Sequence, residues 1–346
     1  MIKHIRLASQ QLAQPAFEKP EDLVNWMGAV QAQDYNMAKW ALGVRLNNAT
    51  LKEVEKSLKE GKILRTHILR PTWHFISAED IRWMIQLSGK RIRTAFQSYG
   101  KSRGIVYDDY IKSCLQLEKV LTGKSLTKQE ITDELNKIGF KADITQMNCL
   151  LTVAETEGIV CSGIDKGRKA TYALLEERVS PTRELHKDEA LARLAQKYFQ
   201  SHSPASLQDF CWWSGLPVGE ARKAIDTIKA DLFTDTFNGN DFFVHNMYKE
   251  PLISNNTLHF LPAYDEYLIS YKDRTDVLDK NYYSKGFTNY GIFYPVVSYN
   301  GKIVANWKKV VKKLETDIEI SLFDSQTKLN KKLIEQAKDK YKLFLS

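Results

Sequence analysis

Residues 125–178 read as helix, helix and β-hairpin in that order, and this succession restricts the fold more than any other feature of the chain. Thr127 followed by Glu130 is the signature of a reciprocal cap, in which each side chain satisfies a backbone amide at the start of a helix. Ile131, Leu135 and Ile138 then recur at helical spacing, and Gly139 supplies the stop. A second helix is predicted over 145–157, with Met147, Leu150, Leu151 and Ala154 on its apolar side. Past Gly158, two short β-type runs at 159–161 and 170–174 flank a basic, glycine-containing turn at 165–169. Such a unit is a winged helix, in which one helix can enter the major groove while the hairpin tip meets phosphate. Lys166 and Arg168 at that tip are candidate DNA contacts.

The same order recurs on both sides. Helices are predicted over 188–200, 206–212 and 218–229, the second capped by Ser206. Strands at 232–237 and 241–245 follow, joined at Asn238-Gly239-Asn240. A weaker copy at the front has helices over 20–30, 37–46 and 51–59, then strands over 63–69 and 72–76 interrupted at Arg70-Pro71. From Pro251 the chain is rich in tyrosine and β-branched residues, with a hairpin over 294–305 turning at Asn300-Gly301 and a closing helix over 329–343. The expected fold class is α+β: tandem winged-helix repeats at 1–110, 111–185 and 186–250, then a C-terminal α+β segment at 251–346.

Charge agrees with a nucleic-acid partner. Lys and Arg outnumber Asp and Glu by 50 to 42, and the excess is concentrated. Residues 81–107 contain no acid but carry Arg82, Lys90, Arg91, Arg93, Lys101 and Arg103; residues 301–314 contain none but carry five lysines. Segregated cations suit a polyphosphate backbone, where each neutralised phosphate releases a counterion; a solvated helix face is the plain alternative. Arg82, Lys90, Arg91 and Arg93 are therefore candidate DNA contacts. No apolar run approaches the roughly 18 residues of a membrane span, and residues 1–11 lack the pattern of a secretory signal, so a cytoplasmic protein is expected. Cys114, Cys149, Cys161 and Cys211 are scattered, without zinc spacing, and no Walker, G-x-S-x-G or H-E-x-x-H motif occurs; no metal and no cofactor are expected.

The segment Gln31-Ala32-Gln33-Asp34 lies between two apolar helices. Its two amides point roughly 200° apart if helical but toward one side if extended. Alone, such a triplet says little. Together with Ala38 and Arg45, however, it resembles the catalytic segment of AlkZ-like winged-helix DNA glycosylases. So does the run from Arg65 to Ile76, which holds Arg70, Trp73 and His74, followed by Asp80. Residues 261–268 with Asp273-Arg274, and residues 295–304 with Trp307, resemble the family's C-terminal blocks. Pro71 is a departure, since the family commonly has glycine there, and proline cannot adopt the positive φ open to glycine.

The resemblance implies tandem winged helices curved around duplex DNA, and hydrolysis of the N-glycosidic bond of N7-alkylated purines, crosslinked ones included. It places the catalytic pair on Gln31 and Gln33. An amide does not titrate near neutrality, so it cannot serve as an ordinary general base. It can orient a water and offer its carbonyl dipole to positive charge developing on the sugar. An N7-alkylguanine is already cationic and leaves as a neutral base, so no general acid is needed. Arg65, Arg70 and His74 are candidate DNA contacts, with a sheet-bonded histidine as the plain alternative for His74. Trp212-Trp213 reads as core, though an exposed aromatic there would suit a wedge, and Lys39 reads as a solvated helix lysine. The partner expected is double-stranded DNA carrying alkylated bases, bound by a monomer. The competing reading is a dimeric winged-helix transcriptional regulator, for which no long heptad segment is present.

Overall fold

In the computed structural model the structure describes residues 1–237, 239–249, 256–312 and 315–346. Asn238, Pro251, Lys313 and Leu314, which the sequence reading placed in a turn, at a segment start and in a basic stretch, lie outside them. Helices and antiparallel strands form two units, Lys56–Ala190 and a second that joins Met1–Glu55 to Leu191–Ser346. No helix among the described residues is long and apolar enough to cross a membrane.

In Lys56–Ala190, the strands Ile63–His67 and Trp73–Ser77 pair antiparallel, with Ile63 opposite Ser77 and His67 opposite Trp73. The left-handed residue of their connection is Leu69, at φ 62°, two positions before Pro71. Its amide donates to Ser88 Oγ at 3.1 Å, so a buried hydroxyl holds the strained bend where the proline cannot. The predicted helices appear as Lys128–Lys137 and Ile144–Thr156. Thr127 and Glu130 form the expected reciprocal cap, and Asp143 with Gln146 repeats it on the next helix. Leu117, Leu121, Ile131, Leu135, Met147, Leu151 and Val160 make the core beneath them. The strand Val160–Ser162 is offset by one residue from its predicted run, and Tyr172–Leu174 is two residues shorter than its run, with a tight turn between them at Lys166 and Lys169 and Gly167 at positive φ.

The acid-free stretch at 81–107 is mostly one helix, Ile81–Lys101. Gly89 lets it approach the end of Ile144–Thr156: a β-carbon there would lie 2.5 Å from the Thr156 carbonyl oxygen. Gly89→Ala should therefore force the two helices apart and cost about 1–3 kcal/mol. Urea denaturation checks this; a midpoint equal to wild type would show that the contact is not tight.

The other unit carries a four-stranded antiparallel sheet, Leu258–Leu261, Val296–Tyr299, Lys302–Lys312 and Glu315–Leu322, in spatial as in chain order. Asn300 and Gly301 make the expected two-residue turn, both at positive φ as that turn type demands. The second strand of that hairpin runs on past Ala305, where the sequence reading ended it, and pairs there with Glu315–Leu322. Ile303, Ala305 and Trp307 alternate into the core, and Lys308 pairs with Glu319 across the ladder at 2.9 Å. The closing helix Lys331–Leu345 lays Tyr341 and Phe344 against Trp40, at ring distances of 4.8 and 5.2 Å. Ser206 and Asp209 cap the helix Leu207–Ser214 reciprocally. These contacts put the helix Tyr35–Gly43, and the glutamine segment before it, on the rigid side of this unit.

Candidate active site

The glutamine segment is where an extended run turns into a helix. Gln31 ends the short strand Val30–Gln31, Gln33 lies in a bend, and Asp34 caps Tyr35–Gly43 by accepting from the Asn36 and Met37 amides at 3.2 and 3.0 Å. Because the extended geometry stops at Ala32, the two amides are not equally presented. Gln31 is 3% exposed, whereas Gln33 is exposed. Gln33 is the amide that meets solvent; Gln31 lies behind it.

A carboxylate holds Gln31 from inside. Its backbone amide donates to Glu266 Oε1 at 2.5 Å, and Ser270 donates its hydroxyl to Glu266 Oε2. The Glu266 carbonyl accepts from Gln10 Nε2, which also donates to the Tyr271 hydroxyl at 3.0 Å. Gln10 Oε1 accepts from Arg45, and Arg45 clasps Asp265 with two nitrogens at 2.8 and 2.7 Å. Arg45 also donates to the Ala41 carbonyl one turn back on the helix that Asp34 opens. All these side chains are buried. A fork of guanidinium on carboxylate is the geometry in which a buried ion pair repays its desolvation, and removing one partner costs about 3–5 kcal/mol. Asp265 additionally accepts from the Tyr267 amide, capping the short helix Glu266–Ile269.

His202 stands beyond Glu266, with Nε2 at 3.6 Å from Oε2 and the ring stacked on Tyr198 at 4.9 Å. Burial, which outweighs the pull of the Glu266 carboxylate, pushes this imidazole below the ordinary histidine range. A histidine kept neutral in the fold but free to protonate when unfolded stabilises above the unfolded pKa, about 6.5, and loses that contribution as pH falls. Melting temperature should therefore drop between pH 7.5 and 5.5, and less steeply in His202→Gln. Parallel pH dependences for the two proteins would contradict this.

The other candidates from sequence lie in Lys56–Ala190. Arg82 binds Glu176 through two nitrogens at 2.8 and 3.1 Å and reaches the Val179 carbonyl. Arg93 pairs with Glu157 at 3.0 Å, and Lys166 with Glu130 at 2.8 Å. Arg65 lies 4.4 Å over the Trp73 ring, Arg91 donates to the Leu87 carbonyl, and Arg70 is half-buried. His74 is fully buried, with Nδ1 at 3.0 Å from the Thr72 carbonyl. Lys90 and Arg168 are exposed. Lys39 is not the solvated lysine of the sequence reading: it is 5% exposed and paired with Glu55 at 2.9 Å, because its helix turns that face inward. Trp213 is core as expected, and Trp212 donates its indole N–H to the Ile269 carbonyl. Glu266, Gln10 and His202 were not singled out in sequence; only Glu266, inside the 261–268 block, carried a local signal.

The family model for AlkZ-like DNA glycosylases matches residues 24–344, nearly the whole chain. The chain belongs to the AlkZ-like DNA glycosylase family. It is thus a hydrolase of the N-glycosidic bond in DNA. A curated relative, an interstrand DNA cross-link repair glycosylase from Streptomyces sahachiroi, is 20% identical over 331 residues, covering 91% of this chain and 88% of the relative. The solved structure of the Streptomyces sahachiroi DNA glycosylase AlkZ superposes with a TM-score of 0.84 at 18% identity, covering 99% of this chain and 95% of that one. That likeness establishes the mixed helix-and-sheet fold of this glycosylase.

Proposed function

We propose that this glycosylase excises N7-alkylated purines from double-stranded DNA, interstrand crosslinks included, with Gln31 and Gln33 as its catalytic pair. The observation that carries the reading is the exposed Gln33 amide fixed between a Gln31 backbone held by a buried carboxylate and a capped helix start. Neither amide can take a proton near neutrality. The pair is suited to a substrate that is already cationic, and poorly suited to an unmodified base that must be protonated to leave.

In the reaction we propose, the bond from C1′ to the base breaks with its electron pair going to the cationic purine, which departs neutral. Positive charge appears on the sugar, where the Gln33 carbonyl dipole faces it. A water aligned by the amides adds to C1′ and gives its proton to solvent, leaving an abasic sugar. The name of the Streptomyces relative, a cross-link repair glycosylase, supports extending the substrate class to crosslinks. We read the helix and hairpin successions at 1–110, 111–185 and 186–250 as winged-helix repeats, followed by the 251–346 segment. The protein then works as a monomer in the cytoplasm. Lys90 and Arg168, both exposed, are the cations among our candidates best placed for phosphate.

The test is a duplex with a single N7-methylguanine, treated with protein, cleaved by alkali and run on a denaturing gel. Wild type should give a strand break. Gln33→Ala, an exposed change of little stability cost, should slow single-turnover excision by about 10²-fold or more while leaving affinity for undamaged duplex unchanged. Gln31→Ala with Gln33→Ala should abolish the break. A wild type that cleaves neither this substrate nor a nitrogen-mustard crosslink would overturn the reading.

A further inference from the structure

Tyr290 is the most exposed large hydrophobic side chain among the described residues, at 95%. It sits at the tip of a short turn, 287–293, which follows the helix Tyr283–Gly286 and precedes the strand Val296–Tyr299. Ile292 and Tyr294 are exposed at 46% and 38%, so three large apolar side chains within five residues face outward at alternate positions. Isolated exposed hydrophobics are ordinary on a protein surface; a cluster on one projecting turn is not.

The turn is held stiffly. Phe287 and Phe293 bridge its base and stack at 5.2 Å. The Thr288 amide donates to the Ile292 carbonyl at 2.8 Å, and the Ile292 amide donates to the Thr288 hydroxyl at 3.2 Å. Gly291, at φ 79°, takes the left-handed position directly after Tyr290, which few other residues would tolerate. The Arg274 guanidinium lies 4.8 Å from the Phe287 ring and 5.2 Å from Phe293, and is itself fixed by the Leu268 carbonyl. A mobile loop would lose its ordering entropy on binding; this one has already lost most of it.

The turn also stands beside the candidate catalytic segment, within the same unit. Phe293 contacts Tyr264 at 6.1 Å between rings. Tyr264 immediately precedes Asp265 and Glu266, the carboxylates that hold Arg45 and the Gln31 amide. Trp212, the aromatic that sequence offered as a wedge, is committed elsewhere: its indole is hydrogen-bonded and lies beneath Lys272 and Arg274.

We infer that Tyr290 is a nucleobase-stacking residue, which enters the base stack of duplex DNA with or without damage and, at a lesion, holds the damaged nucleotide against the glutamine segment. The stated occupant is the face of a DNA base, chosen because the enzyme is a DNA glycosylase and because an exposed, rigidly held aromatic face fits the face of a base. The inference does not depend on which lesion is excised.

The experiment places a fluorescent adenine analogue, bright only when unstacked, in undamaged duplex and measures brightening and affinity, then measures excision on N7-methylguanine duplex. Wild type and Tyr290→Phe should brighten the probe and bind alike. Tyr290→Ala should lose the brightening and about tenfold in affinity, with a matching fall in excision rate and an unchanged melting temperature. Tyr290→Ala equal to wild type in brightening and affinity would overturn the inference, as would Tyr290→Phe failing like alanine, since stacking needs the ring and not the hydroxyl. Because the probe duplex carries no damage, these readings stand apart from whether alkylpurines are the substrate.

Discussion

The bond from the Gln31 amide to the Glu266 carboxylate is the contact on which the rest of the site depends. It fixes a backbone position rather than a side chain, and it does so with a charged acceptor in a place where water is excluded. From there the constraint passes outward through groups that have no freedom left: Gln10 between Glu266 and Arg45, Arg45 on Asp265 and Ala41, Asp34 at the start of the same helix. Neutral amides, which we propose as the catalytic pair, gain nothing from tuning their pKa. What the fold can control is where they point, and the buried charges serve that end.

Local chemistry was legible in the sequence wherever a few consecutive residues decide the structure. Thr127 and Glu130, the Ser206 cap, and Asn300-Gly301 are self-contained devices, and each appears in the expected place. The glutamine segment was singled out only through its resemblance to the family, since Gln31 to Asp34 alone carry little signal. The back of the site was not legible. Gln10 and Glu266 are 256 positions apart, and the polar residues that meet there resemble, in sequence, surface polar residues. Lys39 and Arg45 show the same limit from two sides: both are cations on or just after one helix, and both turn inward to a carboxylate that no local pattern identifies.

Positive charge was the feature easiest to see and hardest to interpret. Arg82 and Arg93 lie on the acid-free helix, yet each is joined to a glutamate from a different part of the chain. Lys166 at the predicted wing tip returns to Glu130, the residue that caps its neighbouring helix. A run without acids in sequence is thus not a run without acids in space. The surface feature most unlike an ordinary solvated face is instead aromatic: one turn whose Tyr290, Ile292 and Tyr294 face outward.

The measurement that bears most directly on this account is hydrogen exchange at the Gln31 amide, in wild type and in Glu266→Gln. The account predicts that this amide exchanges only with global unfolding in wild type, and at least about tenfold faster in the variant, where a charged acceptor is lost. Exchange at the rate of an exposed loop in wild type, or no difference between the two proteins, would mean that the buried carboxylate does not hold the glutamine segment.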